Sequence, residues 1–388
     1  GDVWIINRAY SGTTQGSLSK FSGDISHCID RNNNGVIDTS RDANGDGIVD
    51  PLKKYGSVPD NEAEYYGQAD ECILTTIKIG APGAIPRAVA VDKRGKIWVG
   101  TYNGSTVYRF NPNEPVALEA QRTFNTSSGW PVTENFYSAA TGDDFVYFVG
   151  RQGDVVQINI NDSNIKNGSF VNARRAGCLT SGYAYGIVAV PGTQQVWVGG
   201  YSGSGLYKID FAPATPTCTW KAMGGQITAM TLDLNGNIWA SGYSSGYVYK
   251  LDQNMNLLAT CASSGTRPHG LSVDFDGNIW SVQDATVHLV RFSPTEIANN
   301  CGRTGPYPID RGPLGAGGFD YTPYLYSDFT GTQINRQAPY TRVGFWEGVY
   351  DGGAPGIAWS TVSWNTEIPN PIPAETSLKI GARAADTL

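Results

Sequence analysis

Charged side chains are scarce in this 388-residue chain: Asp, Glu, Lys and Arg make up 16%, against roughly a quarter in an ordinary soluble domain. Histidines number three and methionines three. No run of about eighteen apolar residues occurs, so no helical membrane span is expected. No Ala/Glu/Lys/Leu-rich stretch keeps a helical period, which argues against a helical protein. Gly-x-Ser-x-Gly, Walker-type, His-Glu-x-x-His and Cys-x-x-Cys motifs are absent, which removes the chemistries that depend on them. The glycine-rich "GGYSGSGLY" from Gly199 precedes a strand and not a helix, so it reads as a hairpin turn. A net charge of −7 disfavours a grip on phosphate backbones, and no nucleic-acid partner is expected. The chain opens in mid-pattern at "GDVWIINR" with no signal-peptide pattern, so it reads as a mature or trimmed fragment.

Glycine (48), tyrosine (21) and tryptophan (10) are abundant instead, the composition of short strands joined by tight turns. Six segments line up: "GDVWIINRAY" from Gly1, "GKIWVGTYNG" from Gly95, "DFVYFVGRQG" from Asp144, "QQVWVGGYSG" from Gln194, "GNIWASGYSS" from Gly236 and "GNIWSVQDAT" from Gly277. Their shared aromatics are Trp4, Trp98, Tyr147, Trp197, Trp239 and Trp280, at intervals of 94, 49, 50, 42 and 41. A period of about 40 to 50 residues with four strands per unit is the mark of β-propeller blades. Upstream strands end in Asp-x-x-Gly or Pro-Gly turns: "PRAVAVDKRG", "AYGIVAVPGT", "ITAMTLDLNG" and "PHGLSVDFDG". The expected fold class is all-β, a propeller of six blades with seven as the alternative. Residues 1–24 form part of the first blade, 25–72 an insertion, and 73–328 the other blades with ring closure by "GAGGFDYTPYLYSD" (315–328). Residues 329–388, with Trp346, Trp359 and Trp364, read as an incomplete β-sandwich.

The long first interval contains the chain's acidity. From Asp24 to Glu71 there are eleven Asp and Glu against four Lys and Arg. Two loops begin twelve residues apart, Asp-x-Asn-x-Asn-Gly-x-x-Asp from Asp30 and Asp-x-Asn-x-Asp-Gly-x-x-Asp from Asp42. Oxygen donors at positions 1, 3, 5 and 9, a carbonyl at 7 and a turn glycine at 6 suit a hard cation. The expected ligands are Asp30, Asn32, Asn34, Val36 and Asp38 for one Ca2+, and Asp42, Asn44, Asp46, Ile48 and Asp50 for a second. Position 12 holds Arg41 or Lys53 where an EF-hand has Glu, so a bidentate ligand is expected from Asp60, Glu62, Glu64, Asp70 or Glu71. Cys28, Cys72, Cys178, Cys218, Cys261 and Cys301, paired in chain order, lie 44, 40 and 40 residues apart. Three disulfides and an oxidising compartment are expected, although six cysteines allow fifteen pairings. With Cys28 and Cys72 bracketing it, the insertion reads as an arm folded by metal and disulfide in place of a core.

The tandem loops resemble those of thrombospondin type 3 and dockerin-like repeats. "PHGLSVDFDGNIW" and "AVAVDKRGKIWVGTYNGSTVYRF" resemble the streptogramin lyase (virginiamycin B lyase-like) propellers, over Gly1–Phe292 without the insertion. That resemblance implies a propeller and, for its lyases, elimination from a cyclic depsipeptide ester by a His base with a divalent metal and acidic partners. His269 of "RPHG" falls on a comparable motif, but Gln283 stands where the lyase pattern places Glu. Loops like "DRNNNGVID" within such repeats also resemble those of bacterial surface proteins. The expectation is therefore a non-enzymatic, extracellular or bacterial cell-surface module for adhesion, matrix or filament assembly. It would meet a protein or glycan surface, or copies of itself, through Tyr102, Tyr183, Tyr185, Tyr201 and Tyr243. The runner-up is a lyase or hydrolase at the channel mouth with His269 as base; His269 otherwise reads as a turn residue.

Overall fold

The computed structural model describes residues 2–308 and Phe329, except 10–11, 46–48, 51, 114, 130–131, 164, 166–167, 173–182, 203–204, 265–266 and 287. The expected ring-closing segment and C-terminal sandwich, with Trp346, Trp359 and Trp364, lie outside the described residues. So do Asp46, Ile48 and Cys178.

Six antiparallel sheets succeed one another among the described residues. The first has three strands, β1 (Val3–Asn7), β2 (Gly16–Phe21) and β3 (Ile73–Ile79). The second comprises β4 (Pro86–Val91), β5 (Ile97–Thr101), β6 (Thr106–Asn111) and β7 (Ala117–Thr123). The third is β8 (Phe136–Thr141), β9 (Phe145–Gly150), β10 (Asp154–Asn159) and β11 (Gly168–Asn172). The fourth is β12 (Ala184–Ala189), β13 (Gln195–Gly200), β14 (Gly205–Asp210) and β15 (Thr217–Ala222). The fifth is β16 (Ile227–Leu232), β17 (Ile238–Gly242), β18 (Tyr247–Leu251) and β19 (Leu257–Ala262). The sixth is β20 (Pro268–Val273), β21 (Ile279–Gln283), β22 (His288–Phe292) and β23 (Thr304–Pro308).

The first strands of neighbouring four-stranded sheets pack on one another, β4 on β8, β8 on β12, β12 on β16 and β16 on β20. They line the axis of a propeller. β1 packs on β4 as β5 packs on β8 and β17 on β20. It therefore stands as the second strand of its blade, and residues 22–72 leave that blade between its third and fourth strands.

A blade between two neighbours is covered on both faces, so its inner strands carry apolar side chains without alternation. β12, β16 and β20 are buried throughout, whereas the outermost β7, β15 and β19 are largely exposed. Among the described residues, one apolar core fills each of the five gaps between blades consecutive in the chain. Trp98, Trp197 and Trp239 sit in three of them and Tyr147 in a fourth.

The Asp-x-x-Gly turn is the partner of these tryptophans. Asp92 accepts backbone N–H groups of its own turn with one carboxylate oxygen and the Trp98 indole N–H (2.9 Å) with the other. Asp233 does the same with Trp239 (3.0 Å) and Asp274 with Trp280 (2.7 Å). Gly95, Gly236 and Gly277 close these turns with φ of 77°, 78° and 88°, where a side chain would be strained.

Candidate functional site

In each four-stranded blade the inner strand loses register with its neighbour within its first residues. The slips lie between Pro86 and Ala88, Phe136 and Ser138, Ala184 and Ile187, Ile227 and Met230, and Pro268 and Gly270. A β-bulge re-aims the displaced side chain. The residues at these equivalent points are Arg87, Tyr137, Tyr185, Thr228 and His269. A second ring follows the second strands. Tyr102, Arg151, Tyr201, Tyr243 and Asp284 donate their backbone N–H to Ile85, Asn135, Tyr183, Gln226 and Arg267, each just ahead of an inner strand, at 2.7–3.1 Å. One channel mouth is thus built from three sets of repeat-equivalent positions. His269 lies inside β20 and not in a turn, and Tyr185 inside β12.

The rings touch in sequence. The Arg87 guanidinium lies 3.6 Å from the centroid of Tyr137, whose ring is 4.3 Å from that of Tyr185. Tyr185 stacks on Tyr201 at 5.0 Å and meets His269 edge to face at 5.7 Å. His269 meets Tyr243 edge to face at 5.5 Å. Tyr185 and His269 come from the fourth and sixth blades. They meet because the fifth contributes only the short Thr228 at this level, whose hydroxyl donates to the His269 carbonyl at 3.0 Å. A Cβ on Gly186 would stand 2.7 Å from the Thr228 carbonyl oxygen, so glycine permits the close approach of these blades.

Tyr137, Tyr185 and His269 are 8%, 7% and 2% exposed and form the floor of the mouth. Its rim is more open: Tyr102, Arg151, Tyr201 and Tyr243 are half-buried, and Tyr183 and Arg267 are exposed. Arg151 donates to the Tyr102 hydroxyl (2.5 Å) and lies 4.0 Å from the Tyr183 ring centroid. Tyr243 donates to Asp284 (3.1 Å), which also pairs with Arg267 (3.0 Å). Burial, and then the Asp284 charge, push the Tyr243 phenol up to about 12, so it stays a proton donor at neutral pH. Gln283 is buried and donates to Ser281 at 2.9 Å.

The insertion emerges at the other end of the blades, since β2 runs away from the mouth. Cys28 and Cys72 are bonded at its base, and Cys261 and Cys301 staple the sixth blade to the fifth. Cys218 is also disulfide-bonded. In the first loop the Asn32 and Asn34 amides donate to Asp38 at 2.7 and 3.1 Å. Asp30 accepts the backbone N–H of Asn34 and Gly35. Asp30, Asn32, Asn34 and Asp38 therefore gather around one turn, and Gly35 has φ 81°. In the second, Asp42 accepts from the Gly45 N–H (2.7 Å). Among the described residues no three His, Cys, Asp or Glu side chains gather as a metal-holding group.

Glu71 and Glu64, two of the five candidates for a bidentate ligand, clasp the loops through their backbone N–H groups. Glu71 accepts the N–H of Arg31 (2.7 Å), Asn32 (3.3 Å) and Asp38 (2.8 Å), and Glu64 that of Asp50 (2.8 Å). Asp38 and Asp50 hold the same position in their loops. The N–H of Ile29 reaches the Glu71 carbonyl and that of Arg41 the Glu64 carbonyl, again at equivalent positions. Both glutamates are buried, at 2% and 0% exposure. The Asp38 N–H above all holds the Glu71 carboxyl below the usual range. Asp70 accepts from Thr39, Ser40 and Cys72, while Asp60 and Glu62 are exposed.

The two-component regulator propeller family matches residues 80–103, which span β4 and β5. No curated protein matches the chain. Among solved structures it is similar to a catalytically inactive virginiamycin B lyase from Staphylococcus aureus with quinupristin. The identity is 13% and the TM-score 0.45, over 54% of this chain and 67% of that one. A streptogramin B lyase gives 14% and 0.46, over 60% and 72%. The Cps50 (Swd1) propeller domain of Myceliophteria thermophila gives 11% and 0.45, over 58% and 69%.

Proposed function

We propose that this chain is a non-enzymatic, secreted or cell-surface propeller module that adheres to an extracellular partner. The carrying observation is the mouth: five equivalent bulges and five equivalent strand ends bring Tyr102, Tyr137, Tyr183, Tyr185, Tyr201 and Tyr243 together at one end. Rigid amphipathic rings on a half-exposed rim suit recognition of a surface. The disulfides are compatible with an oxidising compartment. No helix among the described residues is long and apolar enough to cross a membrane.

The arm on the opposite face takes a structural role in this reading. Asp30, Asn32, Asn34, Asp38 and the Val36 carbonyl would hold one Ca2+, and the second loop another. The donor set fits, being carboxylate and amide oxygens on a glycine turn. The ion would supply cohesion that the arm's buried apolar residues, Ala63 and Tyr66, do not.

The test is retention of the purified chain on extracellular matrix material, measured by sedimentation. Y201A and Y243A should lose it while keeping the wild-type melting temperature. Equal retention by both variants would remove the mouth as the adhesive face.

A second reading draws on the meeting of Tyr185, His269 and Tyr243 with Asp284 at that mouth. It is a lyase or hydrolase with His269 as base. Against it, His269 is 2% exposed, Gln283 is no acid, and Asp284 is already engaged by Tyr243 and Arg267. Ester cleavage by the wild type that H269A abolishes would establish it.

A further inference from the structure

We infer that the mouth takes an acidic saccharide, a carboxylate-bearing sugar at the end of a chain. The inference rests on the mouth being the binding face and names its ligand class.

The first ground is the accessible charge. The charged groups at the mouth include the basic Arg8, Arg87, Arg151 and Arg267 and the acidic Glu134, Asp154 and Asp284. The three carboxylates are sealed, at 1%, 3% and 6% exposure, while Arg87 and Arg151 are half-buried and Arg267 is exposed. Solvent at the mouth therefore meets guanidinium groups on a chain whose net charge is −7. Guanidinium forks match carboxylates, and pairing strengthens where rings exclude water. The Arg151 fork is held by the Tyr102 hydroxyl and the Tyr183 ring, so little freedom is lost on binding.

The second ground is shape. Tyr137, Tyr185 and His269 form a buried floor of touching rings, which suits a chain end better than a polymer passing through. A terminal ring can lie on it. The C–H faces of a pyranose suit the exposed Tyr183 and the half-buried Tyr201 and Tyr243, and its hydroxyls suit Asn135 and Gln226, each just ahead of an inner strand. An acidic peptide would use the arginines but not the ring faces.

The test is calorimetric titration of the full chain at low salt with trigalacturonate, its methyl ester and a hexaglutamate peptide. The acid trimer should bind, and the methyl ester and the peptide roughly ten-fold or more weakly. R151Q and Y201A, each with wild-type melting, should both weaken the trimer to a similar degree; R267Q is the substitute if R151Q does not fold. Equal binding of the methyl ester would overturn the charge argument, and equal binding of the peptide would make the ligand a protein. No binding of the trimer, with Y201A still losing matrix retention, would overturn the sugar and leave the adhesive mouth standing. Trimer binding that no mouth variant weakens, with retention also unchanged, would overturn both.

Discussion

The indole N–H of Trp239 donates to Asp233 at 3.0 Å, and Asp233 also pairs with Lys250 at 3.3 Å. All three are buried, and the Lys250 ammonium lies 5.4 Å from the Trp239 ring centroid. One carboxylate thus ties the turn, the second strand and the third strand of a blade together. Asp233→Ala leaves a buried ammonium and a buried indole N–H without it, so we expect a loss of about 3 to 5 kcal/mol. Urea unfolding measures it, and a loss below about 1 kcal/mol would show the clasp to be incidental.

The fourth blade shows what the clasp is worth. Its turn is one residue longer, and Val190 stands where the other blades have Asp92 and Asp233: the Val190 N–H reaches the Gln195 carbonyl as theirs reach Lys96 and Asn237. Trp197 Nε1 is accordingly buried without a hydrogen-bond partner. Trp→Phe removes a made hydrogen bond at Trp239 but an unmade one at Trp197. W239F should therefore destabilise by about 1 to 3 kcal/mol more than W197F. Equal costs in paired thermal melts would refute this.

Acid should loosen the same turns. Burial raises the Asp233 and Asp274 carboxyls, but hydrogen bonds from Asn237 and Trp239, and from Trp280 and Asn278, outweigh it and hold both below the usual range. A lowered folded value contributes stability that is present above the unfolded pKa of about 4 and disappears as pH falls through the folded one. Melting temperature should thus fall steeply below about pH 4. D233N, which carries no titrating carboxyl there, should flatten part of that slope.

The repeat of Trp4, Trp98, Trp197, Trp239 and Trp280 made the propeller legible, because a residue buried between blades must recur once per blade. The Asp-x-x-Gly turns were legible for the same reason. The mouth was only half legible. Its tyrosines stand out in the sequence, but a bulge is a slip of register between two strands and leaves no residue-type mark. That Tyr185 reaches His269 depends on what is small at Thr228, a relation between three blades. Aligning the repeats at the residue after each inner strand begins would have gathered Arg87, Tyr137, Tyr185, Thr228 and His269. Glu64 and Glu71 stood out as carboxylates near the loops, but which backbone N–H groups they accept depends on how the arm folds back, which residue type does not mark.

Those glutamates should hold the arm whatever the ions contribute. Glu71→Gln cannot accept N–H groups on both sides of its head, so a buried backbone donor of the first loop is left unpaired, at about 1 to 3 kcal/mol of local stability. Limited proteolysis should cut the arm of E71Q faster than wild type while the propeller keeps its melting temperature. If the loops hold calcium as proposed, mass spectrometry should find about two ions per chain, and chelator should raise the cutting rate of the wild type. Wild-type protein that is calcium-free and indifferent to chelator would remove the metal and leave the clasp.

Gly186 tests whether the mouth depends on blade spacing. A methyl group there would stand 2.7 Å from the Thr228 carbonyl oxygen and 2.9 Å from the Ala229 Cα, both backbone atoms that cannot swing aside. Gly186→Ala must push the fourth and fifth blades apart, and strain of this kind costs about 1 to 3 kcal/mol. The same displacement carries Tyr185 away from His269 and opens the floor. We therefore expect G186A to lose matrix retention out of proportion to its stability, as sedimentation at a temperature well below its melting point would measure. Thr228→Ser, which keeps the short side chain and the hydroxyl, should leave retention intact. Retention by a destabilised G186A would mean that the rim tyrosines bind without the floor beneath them.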